Sequence, residues 1–255
     1  MKIATWNVNS IKVRLPQVLK WLASSKTDIL ALQETKTLDE NFPRQEIEAA
    51  GFQVIYSGQK TYNGVAIISR YAASDLVTEL SGLNDPQKRV LFATLNGVRI
   101  MNVYVPNGSE VGSDIYAYKL NWFKYLTADL QANLEKYQKV VLLGDFNVAP
   151  ADEDVYDPES WQDRILCSEP ERAAVKEIFD SGMIDAFREF KQEENSFSWW
   201  DYRQAAFRRN MGLRIDLILA SKNLGPDLSS CIIDKEPRSW ERPSDHTPVV
   251  AEFNI

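Results

Sequence analysis

Short apolar and β-branched runs recur along the whole chain, each closed by polar turn residues. Ten have the length and composition of strands: Ile3–Val8, Asp28–Leu32, Phe52–Tyr56, Val65–Ser69, Val90–Leu95, Ile100–Val105, Val140–Gly144, Ile215–Ala220, Cys231–Asp234 and Val249–Phe253. Between them the spacing turns helical over Leu15–Ser24, Arg44–Ala50, Ile115–Tyr137 and Glu171–Ser181. Pro16 suits a first helical turn, where its missing N–H is no loss, and Gly51 and Gly182 suit helix ends. Asn96-Gly97 stands between two strand-like runs and predicts a tight hairpin, hence antiparallel pairing. Many strands with a few interspersed helices predict sheets covered by helices in a mixed α/β layered architecture. No fixed-period repeat, low-complexity tract or linker divides residues 1–255, so one domain is expected. The weakest boundary, Ala149–Ser160, reads better as a long surface loop.

Composition agrees with that picture. With 44% hydrophobic and 25% charged residues, the chain can bury a sizeable core. No stretch has the layout of a secretory leader, and no apolar run reaches the ~20 residues that span a bilayer. A monomeric cytoplasmic protein with no membrane partner is expected. Cys167 and Cys231 stand far apart without metal-type or redox-type spacing, which argues against a zinc site or a disulfide framework. A formal charge of -7 argues against a protein that coats nucleic acid, because nonspecific phosphate binding is driven by Lys and Arg. An enzyme acting on nucleic acid remains compatible. Acidic residues gathered at a metal site would lower the total while local basic loops met the backbone.

Several predicted strands end in residues able to bind a metal or a phosphate. Ile3–Trp6 runs into Asn7-Val8-Asn9, Ile29–Leu32 into Gln33-Glu34, and Val140–Gly144 into Asp145-Phe146-Asn147. Arg214-Ile215-Asp216 and Ser244-Asp245-His246 repeat the pattern near the carboxyl end. Loops at strand ends are where rigid scaffolds place reactive groups. Singly, each also has a bland explanation: Asp and Asn after a strand commonly cap or turn the backbone, Glu34 could open a loop, and His246, the sole histidine, could be structural. Their recurrence is the signal.

Six ordered segments together resemble the exonuclease III family of abasic-site endonucleases, within the superfamily that includes pancreatic deoxyribonuclease. They are Lys2–Ser10 (KIATWNVNS), Leu32–Lys36 (LQETK), Tyr104–Asn107 (YVPN), Gly144–Asn147 (GDFN), Gly212–Asp216 (GLRID) and Ser244–His246 (SDH). YVPN and GLRID resemble the abasic-site branch more narrowly. The resemblance implies a four-layer αββα sandwich with two mixed central β-sheets and the site at one rim. It implies that Glu34 holds Mg²⁺, with Mn²⁺ as a substitute, supported by Asn7 and Asn9 and with Asp245 helping to position the metal; hard oxygen ligands suit such a cation. It further implies that Asp145 orients or deprotonates the attacking water with help from Asn147. Asp216 would fix the tautomer of His246, His246 and Tyr104 would contact phosphate oxygens, and Asn107 would add a donor. In-line attack on a phosphodiester independently needs an oriented water, a base, and cations or donors around an anionic phosphate, and this set supplies them. Whether Asp145 or His246 is the base, and whether one metal or two bind, stays open. Some relatives carry an acid where this chain has Asn9.

Between Phe197 and Asn210, aromatic residues interleave with arginines, a composition suited to stacking on sugars or bases while pairing phosphates. By resemblance, Trp200 and Leu213 line a pocket for an extruded abasic sugar, and the loop with Arg203, Arg208 and Arg209 reaches the DNA groove. Flipping out a residue with no base sacrifices less stacking, which gives pocket size a role in selectivity. The expected activity is hydrolysis 5′ to abasic sites in double-stranded DNA, with 3′-to-5′ exonuclease and 3′-phosphatase action on blocked 3′ ends. The stretch Ile165–Pro170 looks short where relatives vary in bulk, so the balance of these activities is not legible. Three other readings compete: a superfamily phosphohydrolase acting on RNA, inositol phosphates or lipids; a catalytically weak nucleic-acid-binding regulator; and a pure interaction module. YVPN and GLRID oppose the first, the complete set of site residues the second, and the polar strand ends the third.

Overall fold

A computed structural model describes residues 1–255. The chain opens with β1 (Lys2–Asn7), α1 (Ile11–Ser25), β2 (Ile29–Gln33), α2 (Arg44–Ala49), β3 (Gln53–Ser57), β4 (Val65–Ser69) and β5 (Ala73–Val77). It continues through β6 (Val90–Leu95), β7 (Val98–Tyr104), α3 (Asp114–Lys136), β8 (Val140–Asp145), α4 (Pro158–Trp161) and α5 (Glu169–Asp180). The last part holds β9 (Met183–Asp185), β10 (Trp199–Trp200), β11 (Gly212–Leu213), β12 (Asp216–Ser221), β13 (Leu228–Ile233) and β14 (Val249–Phe253). Every strand-like run of the sequence forms a strand close to its expected bounds. The Asn96-Gly97 hairpin forms as well: both residues have positive φ (47° and 79°) and Leu95 pairs with Val98.

One helix start differs from expectation. α1 begins at Ile11, so Pro16 lies inside it rather than in its first turn. The extra turn is anchored from outside, because Ser10 N donates to Glu34 O (2.7 Å) and Ile11 N to Thr35 O (3.1 Å). Those bonds offset the ladder bond that Pro16 cannot donate.

The strands form two six-stranded sheets, ordered β13-β14-β1-β2-β4-β3 and β5-β6-β7-β8-β12-β9, with β10-β11 as a separate pair. Each large sheet has one parallel pair, β1 with β2 and β7 with β8, joined through α1 and α3 respectively, and all other pairs are antiparallel. Residues alternate faces along a strand, so each sheet presents two apolar surfaces. Ile3, Ala31 and Ile67 meet Ala93, Leu143 and Ile218 between the sheets. The opposite face of the first sheet, with Trp6, Leu30 and Ile68, packs on Val18 and Trp21 of α1 and Ile47 of α2. The opposite face of the second, with Met101, Leu142 and Leu217, packs on Trp122 and Leu126 of α3 and Ile178 of α5. The result is the four-layer αββα sandwich.

Apolar contact between the sheets is non-directional. A buried amide pair supplies direction near one end: Gln33 Nε2 of β2 donates to Asn102 Oδ1 of β7 (2.8 Å) and to Thr5 Oγ1 (2.9 Å). Asn102 Nδ2 returns two bonds across the gap, to Leu32 O (3.1 Å) and Ala66 O (3.0 Å).

The Ala149–Ser160 segment is a loop with two helical turns, and it is tied down. Its buried Asp154 carboxylate accepts from Arg214 Nε (2.6 Å) and pairs with Arg188, while Arg214 also reaches Asp185 (2.7 Å). No helix is long and apolar enough to cross a membrane.

Candidate active site

The carboxyl ends of both parallel pairs open on the same rim. On the first sheet the β1–β2 pairing continues past the strands through Val8 N to Gln33 O (3.1 Å), bringing Asn7 and Asn9 beside Glu34. On the second sheet Tyr104, Asp145 and Asp216 stand side by side on β7, β8 and β12, since Asp145 is in register with both neighbours. Gly144 permits that approach. It has φ 145°, and a Cβ there would stand 1.9 Å from Val103 O, so no other residue fits one place before Asp145. Glu34 (φ 52°), Asn9 (φ 43°) and Asn147 (φ 49°) are all in the left-handed region, which for a glutamate costs about 1–3 kcal/mol and is characteristic of functional sites.

Asn7 joins the two sheets' contributions. Its Nδ2 donates to Glu34 Oε1 (2.8 Å) and Asp145 Oδ2 (2.9 Å), while its Oδ1 accepts Asn9 N (3.0 Å). Asn7 therefore turns its N–H towards both carboxylates, spacing them and orienting Glu34. Asp145 also accepts from Asn147 N at Oδ1 (2.9 Å), and Asn147 Oδ1 accepts from Asn107 (3.1 Å). His246 Nδ1 sits 2.9 Å from Asp216 Oδ2, and its Nε2 lies 3.7 Å from Asp145 Oδ2. Asp216 is held in turn by Ser198 Oγ (2.7 Å), a contact the sequence reading missed because it crosses from the β10 segment.

Burial pushes Asp145 up, to about 7, against the pull of the His246 charge. Burial alone would lower His246, but Asp216 and Asp145 outweigh it and raise the imidazole to about 10. Tyr104 is held well above the usual phenol value by burial and by Glu34 and Asp145, so it remains an O–H donor.

Glu34, Asp145 and His246 bring their ligating atoms within 4.8 Å of one another. A divalent cation fits this place on chemical grounds. Lys36 Nζ already lies 2.7 Å from Glu34 Oε2 and donates to Asn9 Oδ1 (2.5 Å), so these hard oxygens bind positive charge. Asp245 stands aside from that cluster: its oxygens accept from Asn9 Nδ2 (3.0 Å) and Trp199 Nε1 (3.1 Å). Lys36 follows Glu34 by two positions and was legible in the LQETK segment, where its role was not.

The pocket-lining expectation needs correcting at Trp200. Its indole is fully buried, edge-on to Phe207 (5.0 Å between centroids), whereas Trp199 is half-buried and bridges to His246. Neighbouring strand residues point to opposite faces, so only one of the two tryptophans can face the site. Leu213, opposite Trp199, is also covered, in a small cluster with Val155, Leu166 and Ile215. Arg208 and Arg209 are exposed, as is Arg203, which is paired with Asp201 (2.6 Å).

Known proteins share this fold. An exodeoxyribonuclease III from Haemophilus influenzae is 32% identical, covering 99% of this chain and 100% of its own. The structure of NExo, a 3′ phosphatase from Neisseria bound to a product DNA hairpin, matches with a TM-score of 0.98 at 48% identity over 100% of both chains. An AP endonuclease from Archaeoglobus fulgidus matches with a TM-score of 0.96 at 38% identity, again over 100% of both. The model of the endonuclease/exonuclease/phosphatase family spans residues 4–246, and the chain belongs to that family.

Proposed function

We propose that the protein is a metal-dependent DNA-repair phosphodiesterase, cutting 5′ to abasic sites and removing blocked 3′ ends. The observation that carries this reading is the meeting of Glu34, Asp145 and the Asp216–His246 pair at one rim. The DNA substrate is supported by the relatives named exodeoxyribonuclease III and AP endonuclease and by the neighbour bound to a DNA hairpin.

His246, oriented at Nδ1 by Asp216, donates from Nε2 to a phosphate oxygen. Asp145, braced by Asn7 and Asn147 and 3.7 Å from His246 Nε2, orients and deprotonates the attacking water. Tyr104 O–H adds a second donor as negative charge grows on the phosphate. Asn147 braces Asp145 through its backbone N–H, and Asn107 braces Asn147. A magnesium ion held by Glu34 would supply further positive charge at the phosphate. Half-buried Trp199 supplies the apolar wall for the sugar, with covered Leu213 packed behind it.

The test is one preparation assayed in parallel on an abasic duplex, a recessed 3′ end and a 3′-phosphate, with Mg²⁺ and with excess chelator. Cleavage should require Mg²⁺ or Mn²⁺ and stop in chelator; undiminished cleavage there would reject the metal role. Neutralising Arg208 or Arg209 should weaken intact and abasic duplex alike and flatten the salt dependence of binding by about 0.9 log units per log salt for each lost contact. An unchanged salt slope on titration would remove that loop from the DNA interface.

A further inference from the structure

Lys119 is fully buried and has no part in the chemistry above. From the second turn of α3 its ammonium donates to Asn147 O (2.7 Å) and Asn107 O (3.0 Å) and lies 2.5 Å from Glu171 Oε1. Three donors meet three acceptors, which is all an ammonium can satisfy. Glu171, in the first turn of α5, is equally buried and equally occupied: Oε1 also accepts Leu166 N (3.1 Å), and Oε2 accepts Ser168 N (3.1 Å) and Ser168 Oγ (2.6 Å). One ion pair thereby fastens the loop after β7, the loop after β8 and the loop before α5. The lysine stem has little slack, since a Cβ on Gly108 would stand 3.0 Å from Lys119 Cδ.

Such a pair is a poor source of stability. Two apolar side chains of similar volume would commonly serve as well or better, because both charges must be stripped of water. What an ammonium supplies and a methyl group does not is a fixed hold on two main-chain carbonyls. Those carbonyls belong to the two asparagines that brace Asp145 in series, Asn107 onto Asn147 and Asn147 onto the carboxylate.

We propose that Lys119, locked by Glu171, is a positioning residue for hydrolysis, setting Asn107 and Asn147 through their carbonyl oxygens so that Asp145 is held in its working orientation. The inference rests on the role assigned to Asp145. It is tested by comparing wild type, Lys119→Met, Glu171→Gln and the double variant Lys119→Met/Glu171→Gln for kcat and KM on abasic duplex, for Mg²⁺ affinity by calorimetry, and for melting. Loss of alignment should lower kcat about tenfold to hundredfold. KM and Mg²⁺ affinity should stay within about threefold, because neither the arginine loop nor Glu34 touches the pair. The double variant removes the uncompensated Glu171 charge yet keeps an amide oxygen for Leu166 N or Ser168 N, so it should recover part of the melting temperature lost in Lys119→Met without recovering kcat. Recovery of both together would mean that the pair only stabilises the fold, and would overturn the proposal. If the double variant does not fold, Glu171→Gln decides, and wild-type kcat in it overturns the proposal equally. A wild-type protein that cuts no duplex would reject the functional reading, and this inference with it.

Discussion

Asp145→Asn will abolish most turnover while leaving the protein folded and able to bind DNA. The loss should be on the order of 10²–10⁴-fold, the usual contribution of a positioned acid–base group. The change is nearly isosteric, but the local bonding makes it severe. Asn7 Nδ2 and Asn147 N both point hydrogens at the Asp145 oxygens, and an amide can face only one of them with oxygen. Duplex affinity measured with a labelled abasic strand should change little, since the exposed arginines are untouched. Near-wild-type kcat would remove Asp145 from the role of base; a variant that binds normally and melts normally but does not cut supports it.

The second large effect concerns Asp216 and His246 as a unit. Asp216→Ala and His246→Ala should each cost about 10²–10⁴-fold in kcat, and the double change should cost little more than the worse single one. The expectation of non-additivity follows from the geometry. Asp216 reaches the reacting centre only through His246 Nδ1, and without that carboxylate the buried imidazole loses the main charge that keeps it protonated. Losses that multiply in the double variant would show that the two residues act independently.

Long elements and strand-end acids were legible because periodicity and motif order are properties of neighbouring residues. The parts that escaped are short, or depend on the other side of the fold. β9, β10 and β11 have two or three residues each, too few for any period, and β5 is an edge strand with an exposed polar centre. The choice between Trp199 and Trp200 turns on strand phase within a two-residue element, too short for the sequence to show which of the two is buried. Lys119 reads as an ordinary polar position of an amphipathic helix; only folding brings it to Glu171, 52 residues on. Ser198 likewise gains its meaning from Asp216, 18 residues away. The two carboxylates were easier, because Asp145 closes β8 and Glu34 directly follows β2, and the apolar run of each strand announces it.

The amide pair of Gln33 and Asn102 makes the site a gauge with two jaws, Glu34 on one sheet and Asp145 on the other, whose opening is set one residue behind Glu34 and two behind Tyr104. Because that setting is made by neutral donors and acceptors out of reach of water, ionic strength has no handle on it. On the proposed function, salt would act as a clutch at the arginine loop, engaging or releasing DNA, while the gap between Glu34 and Asp145 keeps its width.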